Sequence, residues 1–305
     1  MEDLVAAVRT APGLLGKRDL QVVKRLGVDG DDAAAVPHGD GYLIVCGEAM
    51  SPPFLKADPF GAGAAAVVTN VSDVRAMGAT PLALVDMLVS PDEAHANTVL
   101  DGMTWASEKL GVPIVGGHLT LGHEPALSAS CTGFAKRPLR ASGAKPGDAL
   151  VAAFATEGRW MSDTQPFWTS LHDRDDAKLR TDGDALVEIA ENGLAHAARD
   201  VSMPGIAGSL LQMIEGAGCG ANLNVDAIPK PTNAPIERWL LVFPSFGFLL
   251  ATEQPDAVCD VFARHDIAAA ECGSFDDTKV LRLNERPVWD LTEAPLTGLS
   301  PSAGA

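Results

Sequence analysis

The chain has 305 residues, a length that suggests two domains, and its composition excludes several kinds of partner. It carries 23 Lys and Arg against 40 Asp and Glu, a formal net charge of −17. This charge opposes binding to nucleic acid or to an acidic membrane surface. A polyanionic nucleotide would need a divalent cation between itself and the protein. No apolar run reaches the ~18 residues that a membrane span requires.

The first residues and the cysteines indicate a soluble cytoplasmic enzyme or binding protein. Acidic residues at positions 2 and 3 and the lack of a basic stretch predict that no secretory signal is present. The chain has five cysteines at irregular spacing and no CxxC pair, which predicts buried thiols rather than a zinc knuckle or a dithiol redox motif.

The first half of the chain alternates between helical and strand patterns. Apolar periodicity and stop signals predict helices over residues 3–9, 19–26, 59–78 and 91–110, and strands over 42–46, 82–89, 112–115 and 126–134. Residues 136–148, which are basic and contain glycine and proline, predict a crossing between domains. We therefore expect an N-terminal domain over residues 1–140.

The second half repeats the alternation. It predicts helices over residues 185–197, 206–217 and 256–265, strands over 149–155, 240–251, 267–273 and 278–283, a polar excursion over 157–184, and a loose tail from about 287. Helices that alternate with short strands in both halves favour two α/β layered domains, the second over residues 141–305.

Residues 30–36 read GDDAAAV and contain the first candidate site. Adjacent carboxylates on a glycine turn repel one another unless a cation is near, and Mg²⁺ prefers such hard oxygen ligands. Asp31 and Asp32 are therefore candidate metal ligands. The alternative is a solvated turn before a strand.

Residues 70–81 read NVSDVRAMGATP, and their polar residues share one side of a helix. At 100° per residue, Asn70 and Asp73 lie within about 60° of each other and away from the apolar stripe. They form a candidate polar site, and the alternative is a solvent-facing carboxylate on an amphipathic helix.

A double glycine follows the strand predicted over residues 112–115. Gly116 and Gly117 would let the backbone approach a ligand closely, with their N–H groups available to an anion. His118 is a candidate ligand or phosphate contact, although a structural role is the alternative, and its spacing from His123 gives weak support for zinc.

Two further segments carry candidate residues. Residues 200–205, DVSMPG, precede a predicted helix, so Asp200 either holds a cation or shares with Ser202 the role of capping that helix. Residues 13–18 form a short glycine loop with Lys17 and Arg18, which suggests a lid over phosphates. The chain contains no GxxxxGK[ST], GxGxxG, GxSxG or HExxH motif.

Taken in order, these motifs resemble one superfamily, the PurM-like ATP-dependent enzymes. It contains aminoimidazole ribonucleotide (AIR) synthetase, thiamine-monophosphate kinase, selenophosphate synthetase and the hydrogenase-maturation dehydratase. Residues 30–36 are similar to its GDDAA turn, residues 70–81 to its N-x-S-D-[LV]-x-A-M-G-A-x-P helix, residues 116–118 to its GG-[DHE] motif, and residues 200–208 to its D-[IV]-S/T-x-x-G-L segment.

The resemblance implies two α/β domains of mixed α+β type, with the N-terminal sheets of two subunits joined into a barrel across a homodimer. It implies an N-terminal domain that binds ATP and Mg²⁺ and mediates dimerisation, and a C-terminal domain that binds a small-molecule acceptor. By position, the metal carboxylates would be Asp31, Asp32, Asp73 and Asp200, with Glu48 where these families place a strand-end Asp. ATP would contact Asn70, Asp73, Gly116, Gly117, His118 and Lys17.

Departures from the family patterns argue against several named activities. Thiamine-monophosphate kinases read GGD and carry a second Asp after DxS, where this chain has His118 and Met203-Pro204. Selenophosphate synthetases need an N-terminal Cys or Sec, but the first cysteine here is Cys46; the hydrogenase-maturation enzyme ends in Cys, and this chain ends Gly304-Ala305.

Two functions follow from the resemblance and these departures. The first is Mg²⁺- and ATP-dependent phosphoryl transfer to, or activation of, a small metabolite. The alternative is an inactive nucleotide-binding or assembly protein of the same fold. Trp160 and Trp168 are candidate walls of an acceptor pocket, although packing would also explain them.

Overall fold

The computed structural model describes residues 1–163 and 165–299, and these form two compact units. The middle unit comprises residues 33–138 and 174–187. The terminal unit comprises residues 1–32, 139–173 and everything described from residue 188 onward. Each unit mixes helices with sheet, in agreement with the predicted two-part α/β class.

The strands, in chain order, are β1 (Ala34–His38), β2 (Gly41–Ala49), β3 (Thr80–Ser90), β4 (Ile114–Leu121), β5 (Ala126–Ala135), β6 (Ala149–Phe154), β7 (Arg159–Trp160), β8 (Phe167–Thr169), β9 (Ala197–Asp200), β10 (Gly220–Leu223), β11 (Phe243–Pro244), β12 (Gly247–Thr252), β13 (Ala268–Asp276), β14 (Val280–Leu283) and β15 (Arg286–Asp290).

The α-helices are α1 (Glu2–Thr10), α2 (Pro12–Gly16), α3 (Pro52–Ala57), α4 (Pro59–Ala76), α5 (Glu93–Leu110), α6 (Asp176–Thr181), α7 (Asp184–Glu191), α8 (Gly205–Ala217), α9 (Ile236–Trp239) and α10 (Pro255–Arg264). Short 3₁₀ helices cover Lys17–Leu26, Ala141–Gly143 and Val225–Ala227.

The middle unit is built on a five-stranded sheet in the order β1-β2-β5-β3-β4. The β3–β4 pair is parallel and the other pairs are antiparallel. Helix α4 packs on this sheet, and every residue of the helix from Asn70 to Ala76 is buried. Polar residues on that part of α4 are therefore held inside the unit.

Helices α4 and α5 pack against each other at glycines. A Cβ at Gly63 would lie 2.1 Å from the carbonyl oxygen of Val99, and one at Gly102 would lie 2.0 Å from that of Phe60. Only glycine permits backbones to approach this closely. The small residues of α4 thus allow α5 to pack on it. The side of α4 that helical periodicity predicts to face solvent is therefore covered by α5.

The terminal unit is built on a seven-stranded sheet in the order β15-β14-β10-β13-β6-β12-β9. Strand β12 lies between β6 and β9 and is antiparallel to both. Helix α8 is buried over ten of its residues and contributes most of the helical part of the core. Strands β7, β8 and β11 form a separate three-stranded sheet.

The compact units differ from the predicted division into residues 1–140 and 141–305. Helix α1 belongs to the terminal unit, because Leu4 and Val8 enter its core and Arg9 donates to the carbonyl of Val288 at 2.6 Å. Residues 174–187 join the middle unit, where buried Arg75 donates to the carbonyl of Leu179 at 3.0 Å.

The prediction of a loose tail from about residue 287 is wrong over its described part. Strand β15 runs to Asp290, and Leu296 and Leu299 are buried. The Glu215 carboxylate of α8 accepts hydrogen bonds from the backbone N–H of Leu296, Thr297 and Gly298 at 2.7, 2.9 and 3.2 Å. Residues 300–305 lie outside the described residues.

Three other sequence predictions are corrected. The strand predicted to end before Gly116 continues to Leu121, so the double glycine lies within β4. The helix predicted over 185–197 ends at Glu191, because Ala197 already begins β9. Residues 13–16 belong to α2 and are not a loop.

The prediction of buried thiols is confirmed for four of the five cysteines. All five cysteines are free, and all but Cys259 are buried. Among the helices described, none is both long and apolar enough to cross a membrane.

Candidate functional site

The terminal unit brings the adjacent carboxylates at positions 31 and 32 together with residues 199 and 200, which are distant in the sequence. The Nη2 of Arg199 lies 3.1 Å from the carboxylate of Asp32, and both side chains are almost fully buried. The backbone N–H of Asp200 donates to Asp32 Oδ2 at 2.9 Å, which joins the turn at residue 30 to the end of β9. Asp200 is itself 3% exposed. Asp32 and Asp200 therefore belong to one buried cluster. Together with Asp31, whose contacts are described below, they are named here the terminal cluster.

Asp31 completes the terminal cluster. Its carboxylate accepts from the backbone N–H of Ala141 at 3.1 Å and from that of Asp32 at 3.0 Å. Burial raises the pKa of Asp31 to about 7, and the charge of Asp32 adds to this rise; Arg199 and the two backbone donors oppose it. These two carboxylates are held by backbone donors and a guanidinium inside the unit, so the alternative of a solvated turn does not describe them.

The segment after Asp200 leads directly into α8. Pro204, and not Asp200 or Ser202, occupies the N-cap position of this helix, and it makes no side-chain capping bond. The backbone of Met203 packs tightly on α2, where a Cβ at Gly13 would lie 2.1 Å from the Met203 carbonyl oxygen. The Met203 side chain, at the position where thiamine-monophosphate kinases place an Asp, is 46% exposed.

Lys17 follows α2 at the start of the 3₁₀ helix Lys17–Leu26 and is partly exposed. Residue Leu14 of α2 is fully buried against the core of the terminal unit. The 13–18 segment is therefore helical and anchored at Leu14, and the structure records no hydrogen bond that ties Lys17 to the terminal cluster among the described residues.

The middle unit buries the second predicted pair of polar residues. Asn70 is fully buried and Asp73 is 6% exposed, so the alternative of a solvent-facing helix surface is wrong. The Asn70 side-chain amide donates to the Ala66 carbonyl at 2.8 Å, and the Cys46 thiol donates to the Asn70 carbonyl at 3.3 Å. Asn70 thus fixes α4 against β2.

Asp73 lies among thiols beside the sheet. Burial raises the pKa of the Cys131 thiol to about 12, and the charge of Asp73 adds to this rise. Burial raises the pKa of Cys46 further, again with Asp73 as the second cause. Both cysteines therefore remain protonated near neutral pH.

A further buried carboxylate, Asp86, was not among the sequence candidates. It lies in the middle of β3, is 8% exposed, and has a pKa raised by burial. Strand register places Glu48, Ala129, Asp86 and Gly117 in one row across β2, β5, β3 and β4. The sequence did contain a signal for Asp86, because it is an acidic residue inside an otherwise apolar predicted strand.

The same row explains why position 117 is glycine. A Cβ there would lie 1.9 Å from Asp86 Oδ1, whereas a Cβ at Gly116 would meet nothing within 4 Å. Because directly paired residues point to the same side of a sheet, Glu48, Asp86 and Gly117 share the face that α4 covers. Glu48 is exposed at its end.

His118 lies on the opposite face. It pairs with Met87, next to Asp86 in β3, and successive residues of a strand alternate between faces. The structure therefore does not bring His118 together with Asp73 and Asp86 within the middle unit. Glu48 and Asp86 on the α4-covered face, together with Asp73 of α4 itself, are given the common name middle cluster.

The aromatic residues near position 160 pack against one another. Trp168 is buried and donates its indole N–H to the Ala155 carbonyl at 3.2 Å. The Arg238 guanidinium lies 3.8 Å above the Trp160 ring. Packing thus accounts for both tryptophans that were candidate acceptor walls.

The donor set of the terminal cluster fits a divalent cation. Its members are carboxylate oxygens, which are the hard ligands that Mg²⁺ prefers. Burial is the main cause of the raised pKa of Asp31, and the neighbouring charge of Asp32 is the second. The middle cluster also offers carboxylate oxygens, from Asp73 and Asp86, in a nearly water-free setting.

The fold and its buried carboxylates define a mixed α/β protein of the PurM-like superfamily. The chain belongs to the AIR synthase related protein family: the model of the N-terminal domain matches residues 30–135, and that of the C-terminal domain matches residues 143–284.

Individual relatives and structures agree with this assignment. The "Uncharacterized protein sll0787" of Synechocystis sp. is 35% identical over 98% of this chain and 99% of its own length. The structure "T. maritima PurL complexed with ATP" has a TM-score of 0.70 at 21% identity and covers 88% of this chain and 47% of that one. The structure "AaThiL complexed with AMPPCP and TMP" has a TM-score of 0.69 at 19% identity and covers 87% and 91%.

Proposed function

We propose that this protein binds ATP with Mg²⁺ and uses it to phosphorylate or to activate a small metabolite. The observation that carries the proposal is the buried terminal cluster, which brings the carboxylates of Asp31, Asp32 and Asp200 into one part of the unit. Support also comes from the PurL and ThiL structures of the same fold, whose descriptions name ATP and AMPPCP as ligands.

The proposed metal ligands are Asp31, Asp32 and Asp200 in the terminal unit and Asp73 in the middle unit, with Glu48 in the place of a strand-end Asp. When bound, Mg²⁺ would neutralise phosphate charge, which is most of what phosphoryl transfer requires from a protein site. The protein itself would contribute by holding the carboxylate ligands in position. Arg199 and the Asp200 N–H fix the Asp32 carboxylate, while α4 and the sheet hold Asp73.

Calorimetry tests the binding step. We expect wild-type protein to bind ATP or AMPPCP only when Mg²⁺ is present. Asp73→Asn should weaken this affinity by about 1–3 kcal/mol, the scale of a lost hydrogen bond to a charged group. Asp101→Asn, which changes an exposed acid on α5, serves as the matched control. Wild-type affinity in Asp73→Asn would remove Asp73 from the site.

Turnover separates two functions. ADP release from Mg-ATP across a panel of phosphorylated and carbonyl-containing metabolites would identify a kinase or a synthetase. The second candidate is a binding or assembly protein that does not turn over ATP. It is favoured by the exposed Met203 and by the placement of His118 away from Asp86. Nucleotide binding without ADP release across the panel would support it, and absence of any binding would contradict both.

We propose that the protein is a cytoplasmic homodimer that joins two middle-unit sheets. The support is the sheet face opposite α4, where four apolar side chains are 38–50% exposed: Val36, Val45, Val85 and Met87. A contiguous exposed apolar face of this kind marks an interaction surface. Sedimentation at micromolar concentration should give twice the chain mass of 31.7 kDa, and a monomer would contradict this interface.

A further inference from the structure

Three adjacent strands of the terminal unit are each flanked by a residue of a type that binds metal ions. Asp148 directly precedes β6, Glu253 directly follows β12, and His196 directly precedes β9. Because β12 is antiparallel to both neighbours, its C-terminal end lies beside the N-terminal ends of β6 and β9. The three positions therefore meet at the same end of these strands. Their ligand atoms all lie within 4.8 Å of one another.

The cluster is distinct from the terminal cluster. Asp200 is at the other end of β9, four residues from His196, which at ~3.3 Å per residue is about 13 Å along the strand. The ladder itself holds His196 in place, because its backbone N–H donates to the Ala251 carbonyl at 2.9 Å. Asp148 is 2% exposed, and its Oδ2 accepts from the Lys145 N–H at 2.9 Å.

The distances within the cluster suit a shared ion better than direct hydrogen bonds. His196 Nε2 is 3.6 Å from Asp148 Oδ1 and 3.5 Å from Glu253 Oε1, beyond the normal range for N–H···O bonds. This nitrogen is buried and has no hydrogen-bond partner among the described residues. Two ligands bound to one tetrahedral zinc ion lie about 3.3–3.6 Å apart.

The chemistry of the donors selects among cations. Mg²⁺ takes oxygen ligands in a tight octahedron, in which neighbouring ligands lie about 2.9 Å apart, and Ca²⁺ also takes oxygen ligands. An imidazole nitrogen combined with two carboxylates favours Zn²⁺ and similar transition metals. We therefore propose that Asp148, His196 and Glu253 form a Zn²⁺-class metal site with a fourth position open to water.

Titration of metal-free protein with Zn²⁺ and with Co²⁺ tests this site. We expect one ion per chain in calorimetry, in the presence of excess Mg²⁺, and a visible Co²⁺ absorption spectrum of the tetrahedral type. His196→Ala should lower the affinity by at least about 100-fold, since even the outer partners of metal ligands are worth 10–100-fold. Glu253 is 73% exposed on its side chain, so Glu253→Gln should fold normally and still bind more weakly.

Two matched controls make the result decisive. His123→Ala removes an exposed histidine of the middle unit and should leave Zn²⁺ affinity unchanged. Asp200→Asn should also leave it unchanged, which separates this site from the terminal cluster. The proposal is overturned if wild-type protein binds neither ion, if Glu253→Gln and His196→Ala bind as tightly as wild type, or if His123→Ala weakens binding as much as His196→Ala does.

Discussion

The terminal and middle clusters bury carboxylates in opposite ways. In the terminal cluster, Asp32 faces the Arg199 guanidinium and a backbone N–H, and Asp31 faces two further backbone donors. In the middle cluster, Asp73 is beside the Cys46 and Cys131 thiols, and Asp86 lies over a glycine of the next strand. The comparison teaches that charge compensation positions the first set, whereas close packing positions the second.

Removal of the compensating cation should have the largest effect. Arg199→Met removes the ion-pair partner of the buried Asp32 carboxylate, and breaking a buried ion pair in this way costs about 3–5 kcal/mol. Urea unfolding should show this loss, and added Mg²⁺ should restore part of it if the cluster binds the ion. Arg264→Met breaks an exposed pair with Glu188 and should cost less than about 1 kcal/mol. Equal losses in the two variants would contradict the comparison.

The pH dependence of stability should expose Asp31. Its pKa is 3.8 when unperturbed and about 7 when folded, so the folded state holds the proton more tightly. Such a group stabilises the protein below pH 4, and this contribution is lost as the pH rises through 7, by at most about 1.4 kcal/mol per pH unit. Asp31→Asn should flatten the unfolding free energy between pH 4 and 7 relative to wild type. Parallel curves for the two proteins would show that Asp31 ionises normally.

The close packing of the middle cluster is tested by neighbouring glycines. Gly117→Ala places a methyl group against Asp86 and should cost about 1–3 kcal/mol, as overpacking does elsewhere. Gly116→Ala adds the same atoms in open space within the same strand and should be neutral or slightly stabilising. Thermal unfolding of the pair measures the difference. A result in which both variants match wild type would show that Asp86 moves aside freely.

Much of the fold could be predicted from local signals. The 206–217 pattern predicted α8, observed at Gly205–Ala217, because its apolar residues recur at helical spacing and Gly218 ends it in a left-handed conformation. The 91–110 pattern predicted α5, observed at Glu93–Leu110, where Asp92 caps the first turn. The predicted end of β4 was wrong, because its two glycines were interpreted as the end of the strand. Gly117 instead lies within β4 and leaves space for Asp86 of the neighbouring strand.

The motifs made Asp31, Asp32, Asp73 and Asp200 candidates, and all four carboxylates lie in buried surroundings within their own units. Their role as ligands stays a prediction. Arg199 and Asp86 were missed, because neither belongs to a motif and each acts through a partner distant in the chain. His118 was placed by its motif alone, and strand alternation puts it on the other face of the sheet.

The sequence alone determined the family, the alternation of helices with strands and the acidic character of the chain. Only the tertiary structure decided which acids share a cluster, which sheet face each residue occupies, and that Asp148, His196 and Glu253 meet at one edge. The physical reason is range. Periodicity and capping act over a few residues, whereas the electrostatic and steric environment of a side chain depends on strands and helices that pair across the whole chain.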